Sequence, residues 1–229
     1  MVGAKDQTQP FQAVMFDMDG VIVDSQIYWH KIKRDHILPA VIEGELPAPE
    51  ETTGMNYKKT YDYLNANYTV TTDREKYLSL YNEAAVDIYK QHAALMNGFR
   101  DLCSAIREAN YANAVVSSAD AEWIEWVVDR FDLKFDHKVS ATAAPCRGKP
   151  NADIYEYAAG LFDLEPGSCI AIEDSEHGIQ AASDAGATVI GYRGEANDDL
   201  ELETADAVVS GPDDLRATLS RRLDIDITC

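Results

Sequence analysis

The sequence predicts an α/β fold, a parallel sheet covered by helices on both faces and interrupted after its first strand by a block of helices. Three observations carry this. The apolar run Ala13-Val14-Met15-Phe16 stops abruptly at Asp17-Met18-Asp19-Gly20, as a buried strand stops at a turn. Beyond Gly98, short apolar runs alternate with helical patterns, the βαβ rhythm of a parallel sheet. Between these regions, residues 27–92 carry helical spacing, many tyrosines and no convincing strand.

Taken in order, residues 12–17 read as a short buried strand. In the helical block, Tyr77, Leu78, Leu80, Tyr81, Ala85, Ile88 and Tyr89 recur at helical spacing. Leu46-Pro47-Ala48-Pro49 and Thr52-Thr53-Gly54 read as breaks. Residues 112–117 follow as a strand, and Trp123, Ile124, Val127 and Val128 mark a helix. Residues 138–141 are a weaker strand and 154–162 a helix. A strand at 168–173, a helix at 175–185 and a strand at 187–192 come next, then a strand at 207–209 and a helix at 212–223. The helical block reads as an insertion, which divides the chain into a core of residues 1–25 plus 94–229 and an inserted unit of residues 26–93.

A chain of 229 residues with 46% hydrophobic residues can bury a large core. Its net charge of −20 disfavours nucleic acid and anionic membranes as partners, because both demand basic surfaces. Such acidity suits a high-salt interior and also occurs in ordinary cells. No apolar run reaches the ~20 residues that span a bilayer. Residues 1–10 are polar and lack the apolar stretch of a signal peptide, so a cytoplasmic location is expected. Cys103, Cys146, Cys169 and Cys229 include no Cys-x-x-Cys pair and read as free thiols. Asn67-Tyr68-Thr69, formally a glycosylation sequon, reads as plain surface chain.

The chemistry gathers at the carboxyl ends of the strands, where ligands bind in such sheets. Two carboxylates two residues apart, Asp17 and Asp19, repel each other and lose solvation unless a cation joins them. Gly20 permits the sharp turn that would aim them at a ligand. Ser117-Ser118 ends the second long strand, Lys149-Pro150 precedes a helix, and Glu173-Asp174-Ser175 ends another strand with Gly178 in the following turn. Each has a bland reading: an acidic strand end, a serine cap, a solvated lysine, an acidic helix start. Their joint placement favours a metal-assisted phosphoryl-transfer site with a carboxylate nucleophile.

Together the four clusters resemble the motifs of the haloacid dehalogenase superfamily, in its phosphatase and β-phosphoglucomutase-like branch. Asp17-Met18-Asp19-Gly20-Val21 with Asp24-Ser25 is similar to the first motif, Ser117 to the second, and Lys149-Pro150 to the third. Glu173-Asp174-Ser175 with Gly178-Ile179 and Ala181-Ala182 is similar to the fourth. The resemblance extends over about residues 11–223. It implies a Rossmann-like core with an inserted α-helical cap that closes over the site. It further implies that Asp17 attacks phosphorus and Asp19 moves the proton. Mg²⁺ would be held by Asp17, the Asp19 carbonyl, Asp174 and nearby Glu173. Ser117, with Ser118 as a competitor, would bind a phosphoryl oxygen beside Gly20, and Lys149 would balance the charge. Gly54-Met55-Asn56-Tyr57 resembles the cap loop that reaches substrate, with Asn56 as a contact, while Lys58 and Lys59 read as exposed helix lysines.

An acid at Asp19 is absent from the dehalogenases of the superfamily, so the resemblance implies a phosphate ester: a small phosphorylated metabolite, either a sugar phosphate or phosphoglycolate-like. The nearest rival is a sugar phosphomutase. Mutases carry a histidine where this chain has Trp29; His30 is one residue later, about 100° around a helix. Their basic cap position is here Tyr57. Both departures favour hydrolysis. A non-catalytic binding protein on the same fold is the rival from another class. The five histidines, the cap tyrosines, and Trp123 and Trp126 read as surface or packing residues, with His177 a candidate at the entrance.

Overall fold

The computed structural model describes residues 11–52, 55–194, 196–197, 200, 202 and 204–227, the side chains of residues 49 and 50 excepted. Strand β1 (Ala13–Phe16) is buried along its whole length, as an apolar run without alternation should be in a sheet covered on both faces. The chain then leaves the sheet for a helical block. Helix α1 (Gln26–Ile32) continues through a π-helical turn (Lys33–Ile37) into α2 (Leu38–Val41). Short α3 (Pro49–Thr52), then α4 (Tyr57–Asn67) and α5 (Arg74–Asp87) follow, and a second π-helical turn (Ile88–His92) leads back. Thr53 and Gly54, half of one expected break, lie outside the described residues.

Helix α6 (Phe99–Glu108) precedes β2 (Ala112–Ser117), α7 (Ala121–Arg130) and β3 (His137–Ser140). Helix α8 (Asp153–Gly160), β4 (Cys169–Glu173), α9 (Glu176–Ala185), β5 (Thr188–Arg193), β6 (Ala207–Ser210) and α10 (Gly211–Leu223) complete the chain. The sequence reading assigned nothing to residues 99–108. Yet Phe99, Leu102, Cys103 and Ile106 sit at i, i+3, i+4 and i+7 and are all buried, the stripe that makes α6 a helix.

All six strands are parallel, in the order β3-β2-β1-β4-β5-β6. The order reverses beside β1, so the crevice between β1 and β4 is where a ligand belongs. Successive residues of β1 feed different layers. Val14 and Phe16 face one core, with Ile170 and Ile172. Ala13 and Met15 face the other, with Ala171 and Val189. The first core runs on without a break into the helical block, through Trp29, Tyr57, Tyr81 and Tyr89.

The two crossings between sheet and helical block lie side by side. The Asp24 N–H donates to the Ala94 carbonyl at 3.1 Å, and the Ala94 N–H to the Asp24 carboxylate at 2.5 Å. The Met96 N–H donates to Ile22 O at 2.9 Å. Among the described residues no helix is long and apolar enough to cross a membrane.

Candidate active site

Asp17 stands just past β1, its backbone N–H donated to Ile172 O of β4 at 3.0 Å. Its buried carboxylate accepts from Lys149 Nζ, which also reaches Glu173 Oε1 at 2.5 Å and donates to Val116 O at 2.9 Å. A single ammonium thus ties together the ends of β1, β2 and β4. Burial raises the Asp17 pKa against the pull of Lys149. Burial also works against the Lys149 charge, but Asp17 and Glu173 outweigh it and hold the amine above its ordinary pKa. Each member of the pair would be far costlier to bury charged without the other.

Glu173 and Asp174 end β4. Glu173 is fully buried and accepts from Tyr155 Oη as well as Lys149. Burial, with Asp17 adding to it and Lys149 opposing, pushes its pKa up to about 7. Gly178 makes room: a Cβ there would overlap the Glu173 carboxylate. Burial first, then the charges of Asp17 and Glu173, hold Asp174 well above the usual carboxylate range. Asn197 anchors that corner, its Nδ2 donating to Asp174 O at 2.7 Å and Tyr192 O at 2.9 Å.

Oxygens of Asp17, Glu173 and Asp174 lie within 4.8 Å of one another, and all three residues are buried. Three hard oxygen donors crowded with raised pKa values fit Mg²⁺, which prefers such ligands and few of them. The Gln26 side chain supports the same conclusion. Its Nε2 donates both to the Asp19 carbonyl, at 3.2 Å, and to the Asp174 carboxylate. An electropositive group therefore already bridges the two oxygens that the motif resemblance assigns to a cation.

Asp19 sits apart from that cluster. Its Oδ1 accepts from Tyr89 Oη at 2.7 Å and from Ser25 Oγ. Tyr89 in turn accepts from Trp29 Nε1 at 3.0 Å. Burial and the charge of Asp17 push the Asp19 pKa up to about 6, while Ser25 and Tyr89 restrain it. That value keeps both protonation states populated near neutrality, as an acid–base group requires.

Over the strand ends, the helical block presents aromatic rings. Trp29 stacks on Trp123 (centroids 5.6 Å apart) and on Tyr81 (5.7 Å), and Tyr57 stacks on Trp123 at 4.9 Å. Beside them Asp120, at the start of α7, accepts from Tyr57 Oη, from Thr142 Oγ1, and from Lys58 Nζ at 2.9 Å. Burial alone would raise the Asp120 pKa; the bonds from Lys58, Thr142 and Tyr57 bring it below its ordinary value.

The expected residues Asp17, Lys149, Glu173 and Asp174 therefore converge. Ser117 is buried at the end of β2, its Oγ accepting from the Ala119 N–H at 3.1 Å, and Ser118 is half-buried beside it. Two residues are placed differently from their expectation. Gly20 donates its N–H to Val23 O at 2.7 Å and so does not offer it to a phosphate; at φ +87 it leaves space for Asp174 and Gln26 instead. Asn56 caps α4, its Oδ1 accepting from the Lys59 N–H at 3.0 Å.

One further reading is corrected: Lys58 is ion-paired to Asp120, not free in solvent. Trp123 and Tyr89 pack in the core as expected; Trp123 also stacks on the helical block, and Tyr89 also donates to Asp19. Sequence reasoning missed Gln26, Tyr89, Asp120 and Asn197. Only Asp120 carried a signal, three residues past Ser117 at a helix start. Asp198, Asp199, Glu201 and Glu203 lie outside the described residues, as does Cys229. Among the described residues Cys103, Cys146 and Cys169 form no disulfide.

Comparison with known proteins gives a consistent picture. Residues 14–192 match the family described as haloacid dehalogenase-like hydrolase. The chain is 26% identical over 213 residues to hexitol phosphatase B of Escherichia coli strain K12, covering 90% of this chain and 94% of that one. It is 28% identical over 192 residues to the β-phosphoglucomutase of Bacillus subtilis, covering 79% and 82%. The crystal structure of CbbY from Rhodobacter sphaeroides in complex with phosphate superposes with a TM-score of 0.75. The two share 21% identity, over 93% of this chain and 99% of that one.

Proposed function

This chain belongs to the haloacid dehalogenase-like hydrolases, and on that footing we propose a Mg²⁺-dependent phosphatase that hydrolyses a small phosphate monoester through an aspartyl-phosphate at Asp17. The observation that carries the reading is the division of labour between two aspartates. Asp17 accepts from Lys149 beside a carboxylate cluster, while Asp19 is held apart, its pKa pushed up to about 6. One is suited to attack and the other to shuttle a proton.

In the first step an Asp17 oxygen forms a bond to phosphorus. The ester P–O bond breaks, and the departing oxygen takes the Asp19 proton. In the second, the Asp19 carboxylate removes a proton from water, whose oxygen attacks phosphorus and releases inorganic phosphate and the Asp17 carboxylate. Ser117 and the amides at the start of α7 offer donors to the phosphoryl oxygens. Lys149 offsets charge on Asp17 and on the phosphoryl group throughout. Asp17, Asp174 and the Asp19 carbonyl, with Glu173 adjacent, would hold Mg²⁺, which when bound lowers the repulsion between these carboxylates and phosphate. The helical block acts as a cap, with residues 26–93 over a core of 1–25 and 94–229, and excludes bulk water.

The substrate is a small phosphorylated metabolite, a sugar phosphate or a phosphoglycolate-like ester, in a cytoplasmic enzyme. The likeness to a β-phosphoglucomutase keeps one alternative in play, return of the phosphoryl group to a sugar. Two local features oppose it. Trp29 stands where mutases carry histidine and spends its Nε1 on Tyr89. Tyr57, at the basic cap position, donates to Asp120.

Phosphate release from a panel of phosphoesters, with and without chelator, tests the proposal. Hydrolysis should need Mg²⁺ and fall about a thousandfold or more in Asp17→Asn. Chelator-insensitive turnover, an active Asp17→Asn protein, or isomerised sugar phosphate without free phosphate would each overturn it.

A further inference from the structure

The reaction derived above leaves Lys33, a cation of the cap, without a task. Lys33 opens the π-helical turn after α1 and is partly buried. Its Nζ stands 5.8 Å from the centroid of the Trp29 ring. That ring donates to Tyr89, which donates to Asp19. The ammonium therefore lies on the aromatic wall that supports the proton-shuttling carboxylate.

Lys33 differs from the other basic residues around it. Lys58 is paired with Asp120, Arg34 with Asp35 and Arg74 with Asp62. Among the described residues Lys33 makes no ion pair with any carboxylate. Its charge acts on Asp19, whereas the leading charges on Asp17 and Asp174 are those of Lys149 and the neighbouring carboxylates. Lys149 thus serves the phosphoryl group, and the charge of Lys33 bears on Asp19, the residue that meets the departing oxygen in the proposed reaction. Burial opposes the Lys33 charge and the Asp19 carboxylate favours it, with burial the stronger. A partly desolvated ammonium without a carboxylate partner is stabilised by an anion brought to it.

We infer that Lys33 is a substrate-binding residue, pairing with a second anionic group carried by the leaving group of the phosphate monoester. The inference rests on the phosphatase reading and narrows its substrate class. A neutral polyol phosphate gives Lys33 nothing to bind. A phosphorylated hydroxy acid supplies a carboxylate, and a sugar bisphosphate supplies a second phosphate.

The test compares kcat/KM for 2-phosphoglycolate and a sugar 1,5-bisphosphate with that for sorbitol 6-phosphate, in wild type, Lys33→Met and Lys33→Arg. Methionine keeps the aliphatic packing on Trp29 and removes only the charge. The preference of the wild type for an anionic leaving group over the neutral one should fall about tenfold or more in Lys33→Met, mainly through KM, and survive in Lys33→Arg. An unchanged ratio would overturn the inference, as would a wild type that prefers sorbitol 6-phosphate to both anionic esters. Which anionic ester loses more in Lys33→Met tells a carboxylate from a second phosphate. Equilibrium binding of the same esters to Asp17→Asn, with and without Lys33→Met, separates this inference from the catalytic one. Tryptophan fluorescence from Trp29 and Trp123 gives the readout. Charge-dependent binding in a protein whose wild type releases no phosphate would sink the hydrolysis and leave Lys33 in its role.

Discussion

The floor and the roof of this site are built from opposite chemistry. The floor, at the ends of β1, β2 and β4, is a knot of buried charge: Asp17, Glu173 and Asp174 around Lys149. The roof is a stack of rings, Trp29, Tyr57, Tyr81 and Tyr89 against Trp123, joined to the floor by two polar threads. One thread runs from Tyr89 to Asp19, the other from Tyr57 and Lys58 to Asp120. The floor holds charges that cannot leave water unless each finds its partner, so its residues are tightly specified. The roof is held mostly by area and stacking, which tolerate many side chains. On the proposed function, chemistry would be set below and the choice of substrate above.

Removing the ammonium strikes the floor hardest. Lys149→Met should destabilise the protein by about 3–5 kcal/mol, because it leaves buried carboxylates without their counter-charge. Urea unfolding would measure this, and phosphate release should be lost with it. A Lys149→Met protein as stable as wild type would break the contrast outright.

The pH dependence follows from the same crowding. In metal-free protein Glu173 has a pKa of about 7 against 4.5 unfolded, and Asp19 about 6 against 3.8. Within those windows the folded state holds protons that the unfolded chain has released. Stability therefore falls as pH rises from about 4 to about 7, by on the order of 3 kcal/mol for fully buried Glu173. Thermal melting in chelator across that range should show the decline, and Glu173→Gln should flatten it. Added Mg²⁺ should restore stability at the upper end.

The threads come next in size. Tyr89→Phe removes a donor to Asp19 and the acceptor of Trp29 Nε1 but leaves the ring stack in place, so kcat should drop about tenfold while the melting temperature falls by only a few degrees. An equal loss of stability and activity would make Tyr89 a packing residue after all. Asp120→Ala releases Tyr57, Lys58 and Thr142 at a partly solvated seam. Its cost should be only about 1 kcal/mol in unfolding experiments, with KM rising more than kcat falls.

The floor was legible in the sequence for the reason that makes it rigid. Asp17, Lys149, Glu173 and Asp174 had to be those residue types, at strand ends set by the βαβ order. Gly178 had to be a glycine because the Glu173 carboxylate fills the space of its Cβ. The roof was legible only as helices. Nothing in the spacing of Tyr89 told it apart from Tyr77 or Tyr81, since all three share an apolar helical stripe. What singles out Tyr89 is the π-helical turn beside the returning crossing, which brings its hydroxyl to a residue 70 positions earlier. Gln26 and Lys33 were hidden in the same way, as ordinary polar residues of an opening helix.

By itself the sequence determined the sheet, the helical insertion and the charged residues at the strand ends, because burial and charge compensation leave few alternatives there. Only the tertiary structure decided which cap side chains face Asp19, that Asp120 draws cap to core, and that Gly20 serves by absence of a side chain. Those outcomes depend on how the helical block and the sheet layer meet across the strand ends. No periodicity within either layer records that meeting.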